Sequence, residues 1–179
     1  MSRVDPLFDA ATLAHRIDEL ARDIRAQTDH SLVVVPLLKG SFMFAADLLR
    51  ALHRHGLDPD VDFMTLSSYG TGTSSGGEVL VRDRLMVDLR GRDVLLVDDI
   101  LETGATLACA IAIVTEAGAR AVTTCVLLDK SAHRTRPPEA VAVDHIGFVC
   151  PDEFVVGYGL DHAHRHRGLP FVGRMVENA

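Results

Sequence analysis

Positive charge is in deficit along this chain: 18 Lys and Arg stand against 25 Asp and Glu, a net charge of −7. That leaves no basic field to draw in nucleic acid, so an anionic ligand has to be held by a few local donors. A small phosphorylated molecule suits such a surface better than RNA. Cysteine is scarce. Cys109, Cys125 and Cys150 are an odd number with no close pair, which speaks against a disulfide framework and against zinc, and for a reducing cytosol. No apolar run approaches the length of a bilayer span, and the opening stretch MSRVDPLFDAATLAHRIDEL lacks a signal-peptide core. The expectation is a soluble cytoplasmic protein with no membrane partner. Repeats and heptads are missing too, and no GxxxxGK[ST] occurs, so a nucleoside triphosphate gripped by a P-loop lysine is not the natural ligand.

What the chain does have is 179 residues, 47% of them hydrophobic, enough for one α/β domain with a sizeable core. Leu13, Ile17, Leu20, Ala21 and Ile24 recur at helical steps and predict an amphipathic helix over 10–27. Residues 31–38 read as a buried strand. Ser41 is placed to cap a helix that Gly56 stops. Residues 61–69 and 78–87 read as strands around the Gly/Ser/Thr stretch GTGTSSGG at 70–77, which has nothing to bury and predicts a mobile loop. A strand over 93–97, a helix over 105–117 ended by Gly118 and a strand over 121–128 make a parallel crossover unit. RTRPPEA at 134–140 reads as a loop, 143–149 as a last strand, and the remainder as turn-rich.

The stretch VLLVDDILETGATL, residues 94–107, carries the chemistry. Two acids at the end of an apolar strand can be ordinary caps and solvated turn residues, but ligands of such sheets bind beyond the carboxyl ends of the strands, where this pair sits, and the turn that follows adds to the pattern. Thr103, Gly104 and Thr106 open a helix whose first N–H groups have no intrahelical partner, a seat for phosphate. Asp98 and Asp99 would repel that phosphate if aimed at it, but they can accept hydrogen bonds from hydroxyls beside it. A ribose 5-phosphate offers both groups.

Apolar strand, two acids, two apolar residues, acid, Thr-Gly-any-Thr resembles the phosphoribosyl diphosphate signature of the type I phosphoribosyltransferases. LLKGSFMFAADLLR (37–50), VDFMTLSSYG (61–70), LLDK (127–130) and PDEFVVGYGLD (151–161) are similar, in that order, to segments of the bacterial hypoxanthine (hypoxanthine-guanine) branch. The resemblance covers about residues 30 to 172. It implies a single domain over 1–179: a mostly parallel central sheet flanked by helices, with a small hood from the N-terminal segment and roughly 145–179. It also implies a homodimer or homotetramer. The implied reaction moves ribose 5-phosphate from phosphoribosyl diphosphate to N9 of a 6-oxopurine and releases diphosphate, with Mg2+ as cofactor.

By the same resemblance, Asp98 and Asp99 hold the ribose hydroxyls and the metal, and Glu102, Thr103, Gly104, Ala105 and Thr106 form the 5-phosphate turn. Glu102 is the purine-facing catalytic acid. Leu38, Lys39 and Gly40 meet diphosphate through main-chain groups, with the Leu38–Lys39 peptide in a cis form in the family. Lys130 donates to the 6-oxo group, Phe154 stacks on the purine and Val155 offers main-chain groups to its edge. Asp161 anchors magnesium through water, Arg167 and Arg134 grip diphosphate, and Ser68 and Tyr69 begin the closing loop.

Three positions depart from the family pattern: Glu102 where most relatives carry Asp, Asp98 where many carry Glu, and His162 where a tyrosine is usual. The acid swaps keep charge but move a carboxylate by roughly 1.5 Å, a displacement that can cost rate. His162, His164 and His166 alternate, yet no cysteine or second histidine cluster completes a zinc set. A receiver domain, whose first strand also ends in paired acids, needs roughly a hundred residues after that strand, and only 80 follow Asp99. An RNA-binding regulator on the phosphoribosyltransferase fold would need a basic face.

Overall fold

In the computed structural model, residues 3–28, 31–68, 79–81, 85–130 and 141–176 are described. Strand β1 (Arg3–Phe8) leads into helix α1 (Ala10–Gln27), then β2 (Leu32–Leu38), α2 (Phe42–Arg54), β3 (Asp60–Val61), β4 (Met64–Ser68), β5 (Val79–Val81) and β6 (Asp93–Leu101). Helix α3 (Ala105–Glu116) and strands β7 (Ala121–Asp129), β8 (His145–Val149), β9 (Val155–Val156) and β10 (Val172–Val176) complete the chain. The large sheet runs β5-β4-β2-β6-β7-β8, with β3 paired to β2. All its pairings are parallel except β4 with β5. The fold is thus α/β with a central, mostly parallel sheet flanked by helices.

Alternation along the central strands feeds two cores. Leu32 and Val34 of β2 and Leu95 and Val97 of β6 face α1 and α2, where Leu13, Ile17, Phe44 and Leu48 close the layer. Val33, Val35, Val94 and Leu96 face the other way, onto Leu107, Ala110 and Val114 of α3. Each fully buried side chain of this size is worth roughly 1.5–3 kcal/mol, so the buried stripe on α1, more than helix propensity, holds that helix in place. Its N-terminus is capped by Asp9, whose Oδ1 accepts from Thr12 N–H at 2.8 Å.

Strands β1, β10 and β9 form a separate antiparallel sheet. It draws on residues 3–8 and on the chain after 154, whereas 145–149 joins the large sheet as β8. Val155, Tyr158, Leu160 and Val172 pack into the α1–α2 core, and the Tyr158 hydroxyl donates to Asp47 of α2. Among the described residues no helix is long and apolar enough to cross a membrane.

Four expectations need correction. The strand expected over 61–69 is two, broken at Asp62: its carboxylate accepts the N–H groups of Phe63, Met86 and Val87. The same bonds hold 86 and 87 outside any strand, so of the expected strand 78–87 only Val79–Val81 is strand among the described residues. Ser41 does not cap α2 with its side chain; its buried hydroxyl donates to the Leu37 carbonyl at 2.5 Å. Finally, β6 does not stop at Val97 but continues through both acids to Leu101, because β7 pairs with it up to Leu101↔Asp129. Gly56 and Gly118 do end their helices, at φ +80° and +92°.

Candidate active site

The carboxyl ends of β2, β6 and β7 lie side by side, and the hood segment 157–161 reaches over the first of them. Asp98 and Asp99 are the last polar pair of β6. Asp98 is 7% exposed, and its Oδ1 accepts the Asp99 N–H at 2.9 Å. The Asp99 carboxylate accepts from Ile100 N–H at 3.1 Å. Burial, with the neighbouring Asp99 charge added, pushes the Asp98 carboxyl well above the ordinary carboxylate range. Burial also raises Asp99, against the hydrogen bond with Asp98, the backbone N–H groups of Asp99 and Ile100 and, least of these, the charge of Arg167.

The turn from Glu102 to Gly104 then delivers the chain to α3. Gly104 adopts φ +76°, a left-handed geometry that favours glycine, and an added Cβ would come within 3.1 Å of Val141. Thr103 Oγ1 accepts the Ala105 N–H at 3.3 Å. Thr106 follows in the first turn, where backbone N–H groups have no intrahelical acceptor and the helix dipole is positive. The arrangement is suited to an anion.

Opposite this turn, the Leu38–Lys39 peptide is cis. The next residue, Gly40, lies against the acid pair: a Cβ on it would fall 1.6 Å from Asp99 Oδ2. A Cβ on Gly159 would meet the Gly40 carbonyl oxygen at 2.0 Å. Two glycines therefore stack the hood segment onto the β2 turn and the β2 turn onto Asp99. Arg167 fastens the hood side, donating to the Gly159 carbonyl at 2.6 Å and pairing with Asp161 at 2.6 Å. Asp161 also accepts the His164 N–H at 2.8 Å.

At the end of β7, Lys130 is 6% exposed, and its Nζ lies 3.2 Å from Glu102 Oε1. Its backbone N–H donates to the Leu101 carbonyl at 2.9 Å, continuing the β6–β7 ladder. Glu102 thus turns one carboxylate oxygen toward Lys130 while its side chain stays 52% exposed, and it does not cap α3. Phe154 is 55% exposed and meets His162 edge to face, with centroids 5.3 Å apart. Val155 is buried in β9, paired with Arg174. Ser68 ends β4, while Tyr69, Arg134 and the loop 70–77 lie outside the described residues.

Sequence reasoning overlooked Gly159 and the contact between Tyr158 and Asp47. A glycine-flanked tyrosine in VGYGLD is a visible signal for the first; nothing in the sequence marks Asp47. Among the described residues no three His, Cys, Asp or Glu side chains converge as a ligand set for a metal. Paired buried carboxylates and a separate Asp161 fit instead a hard cation that keeps most of its water and shares substrate oxygens.

Comparison with known proteins agrees with this geometry. The hypoxanthine phosphoribosyltransferase of Escherichia coli strain K12 is 43% identical over 176 residues, 97% of this chain and 96% of that one. The Haemophilus influenzae protein of the same name is 43% identical over 178 residues, again 97% of this chain and 96% of that one. The crystal structure of a hypoxanthine-guanine phosphoribosyltransferase from Bacillus anthracis aligns with a TM-score of 0.87 at 34% identity, covering 98% of this chain and 100% of that one. The phosphoribosyl transferase domain matches residues 4–163, and with relatives matching along nearly its whole length the chain belongs to the phosphoribosyltransferase family.

Proposed function

We propose that this protein is a purine-salvage enzyme that transfers ribose 5-phosphate from phosphoribosyl diphosphate to N9 of hypoxanthine or guanine, giving IMP or GMP and diphosphate. The observation that carries this reading is the Lys130–Glu102 pair at 3.2 Å, at the ends of adjacent strands and next to the anion-binding turn. O6 and N7 of a 6-oxopurine share one edge, so a cation and a carboxylate side by side match that edge. Lys130 donates to O6 in a charge-assisted bond that an adenine amino group cannot accept. Glu102 takes the N7 proton as N9 attacks C1′ and positive charge develops on the ring. Phe154 stacks on the base, and main-chain groups of Val155 meet its edge.

On the sugar side, Asp98 and Asp99 accept from the ribose hydroxyls, and Thr103, Gly104, Ala105 and Thr106 hold the 5-phosphate. Main-chain groups of Leu38, Lys39 and Gly40 and the Arg167 guanidinium receive diphosphate, with Arg134 assisting, and Ser68 and Tyr69 start the loop that excludes water. Asp161, with Asp98 and Asp99, would hold magnesium largely through water, and the ion would neutralise charge on the departing diphosphate. The chain forms one domain, its hood built from the N-terminal segment and the region from roughly 145 onward. It works in the cytoplasm as a homodimer or homotetramer, without nucleic acid or membrane partners.

A base-panel assay with phosphoribosyl diphosphate and Mg2+ tests this, following nucleotide and diphosphate together. Hypoxanthine, guanine or both should be converted with one diphosphate released per nucleotide, and adenine refused. Efficient turnover of adenine would overturn the assignment.

A further inference from the structure

The same ion pair has a second consequence, which rests on the reading above. Lys130 is 6% exposed and its ammonium has Glu102 as an acceptor, while the Glu102 side chain is 52% exposed. The backbone at Lys130 is tied to Leu101 by a 2.9 Å bond, and the strands are in register up to Leu101↔Asp129. The element free to rearrange is therefore the Glu102 side chain. A buried ammonium is costly without an acceptor, so Lys130 keeps Glu102 until another acceptor arrives.

We infer that Glu102 is held on Lys130 in the free protein and is released to the purine N7 only when a 6-oxo oxygen replaces it on the lysine. Recognition at position 6 is then coupled to delivery of the base. In the productive complex, the N9–C1′ bond forms and the C1′–oxygen bond breaks, its electron pair leaving with diphosphate. The N7 proton passes to the freed Glu102 carboxylate. A purine with hydrogen at C6 offers Lys130 no acceptor, so Glu102 stays on the lysine and the N7 proton lacks its acceptor. Discrimination at position 6 acts on the chemical step as well as on binding. The glutamate length matters, because an aspartate would withdraw the carboxylate by roughly 1.5 Å and take it out of hydrogen-bond range of Lys130.

Single-turnover rates with saturating phosphoribosyl diphosphate, Mg2+ and base test the coupling, with hypoxanthine compared against 6-unsubstituted purine. The wild type should favour hypoxanthine in the chemical step by roughly 10²-fold, the usual worth of a positioned base. In Glu102→Asp that ratio should fall at least about tenfold. In Lys130→Met, which frees Glu102 outright, the chemical step should slow for hypoxanthine and quicken for unsubstituted purine. A ratio unchanged in both variants would overturn the coupling while leaving the salvage reading intact. A wild type that makes no nucleotide from hypoxanthine or guanine would overturn both.

Discussion

The Asp99 carboxylate occupies the space that any side chain on Gly40 would need, since a Cβ there would lie 1.6 Å from its Oδ2. Gly40→Ala must push that carboxylate aside or lift the β2 turn into the hood, where Gly159 already abuts the Gly40 carbonyl. Overpacking of this kind costs roughly 1–3 kcal/mol, and a misplacement of about 1 Å can cost 10²-fold in rate. The expected outcome is a lower unfolding midpoint with kcat/KM down by about two orders of magnitude. Full activity in the alanine variant would detach Asp99 from the reaction.

Lys130→Met removes the ammonium while keeping much of the buried side-chain volume. Binding of 6-oxopurine should weaken by about 1–3 kcal/mol, the usual cost of losing a charge-assisted bond. Phosphoribosyl diphosphate affinity should stay nearly constant, since the lysine ammonium meets the Glu102 carboxylate, the group assigned to the base, and the 5-phosphate is assigned to Thr103–Thr106. Calorimetric titration of each ligand checks this, and equal losses for both would mean a general disturbance of the fold.

Phe154 and His162 cross at 79° with centroids 5.3 Å apart, so the histidine braces a ring that is otherwise half exposed. Such aromatic pairs are worth about 0.5–1.5 kcal/mol. His162→Ala should raise KM for the base by roughly 2–10-fold with kcat little changed, and His162→Tyr should restore it. A drop in kcat with constant KM would place His162 in the chemical step instead.

His145 on β8 is 6% exposed, and its Nε2 has no hydrogen-bond partner among the described residues. Burial lowers its pKa, with Asp144 and Asp23 opposing and Arg16 assisting. The unfolded chain then binds a proton near the ordinary histidine value of about 6.5 while the folded chain does not, so stability falls as pH drops below that value. His145→Leu removes this loss. Its advantage in denaturant midpoint over the wild type should be larger at about pH 5.5 than at about pH 7.5. A difference independent of pH would mean that His145 does not titrate on unfolding.

Local physics wrote much of this protein into its sequence. The stripe Leu13, Ile17, Leu20, Ala21 and Ile24 is buried on α1, and Gly56 and Gly118 stop their helices with positive φ. The β6 acids, the Thr-Gly turn and α3 stand in the expected order, because side-chain period and glycine's left-handed freedom act over a few residues. Which polar group finds which partner was decided elsewhere. Ser41 gives its hydroxyl to Leu37 and not to its own helix, Asp62 breaks a strand by binding residues 86 and 87, and β7 carries β6 past both acids. Glu102 finds Lys130, and Tyr158 finds Asp47, across 28 and 111 positions. Periodicity and glycine placement marked the helices α1, α2 and α3, the buried middles of β2, β6 and β7 and the acids near the end of β6, whereas the break at Asp62, the stacking of Gly40, Asp99 and Gly159 and the Glu102–Lys130 pair came from long-range contacts. Hydrogen-bond partners and close approaches depend on chain segments that no local pattern relates.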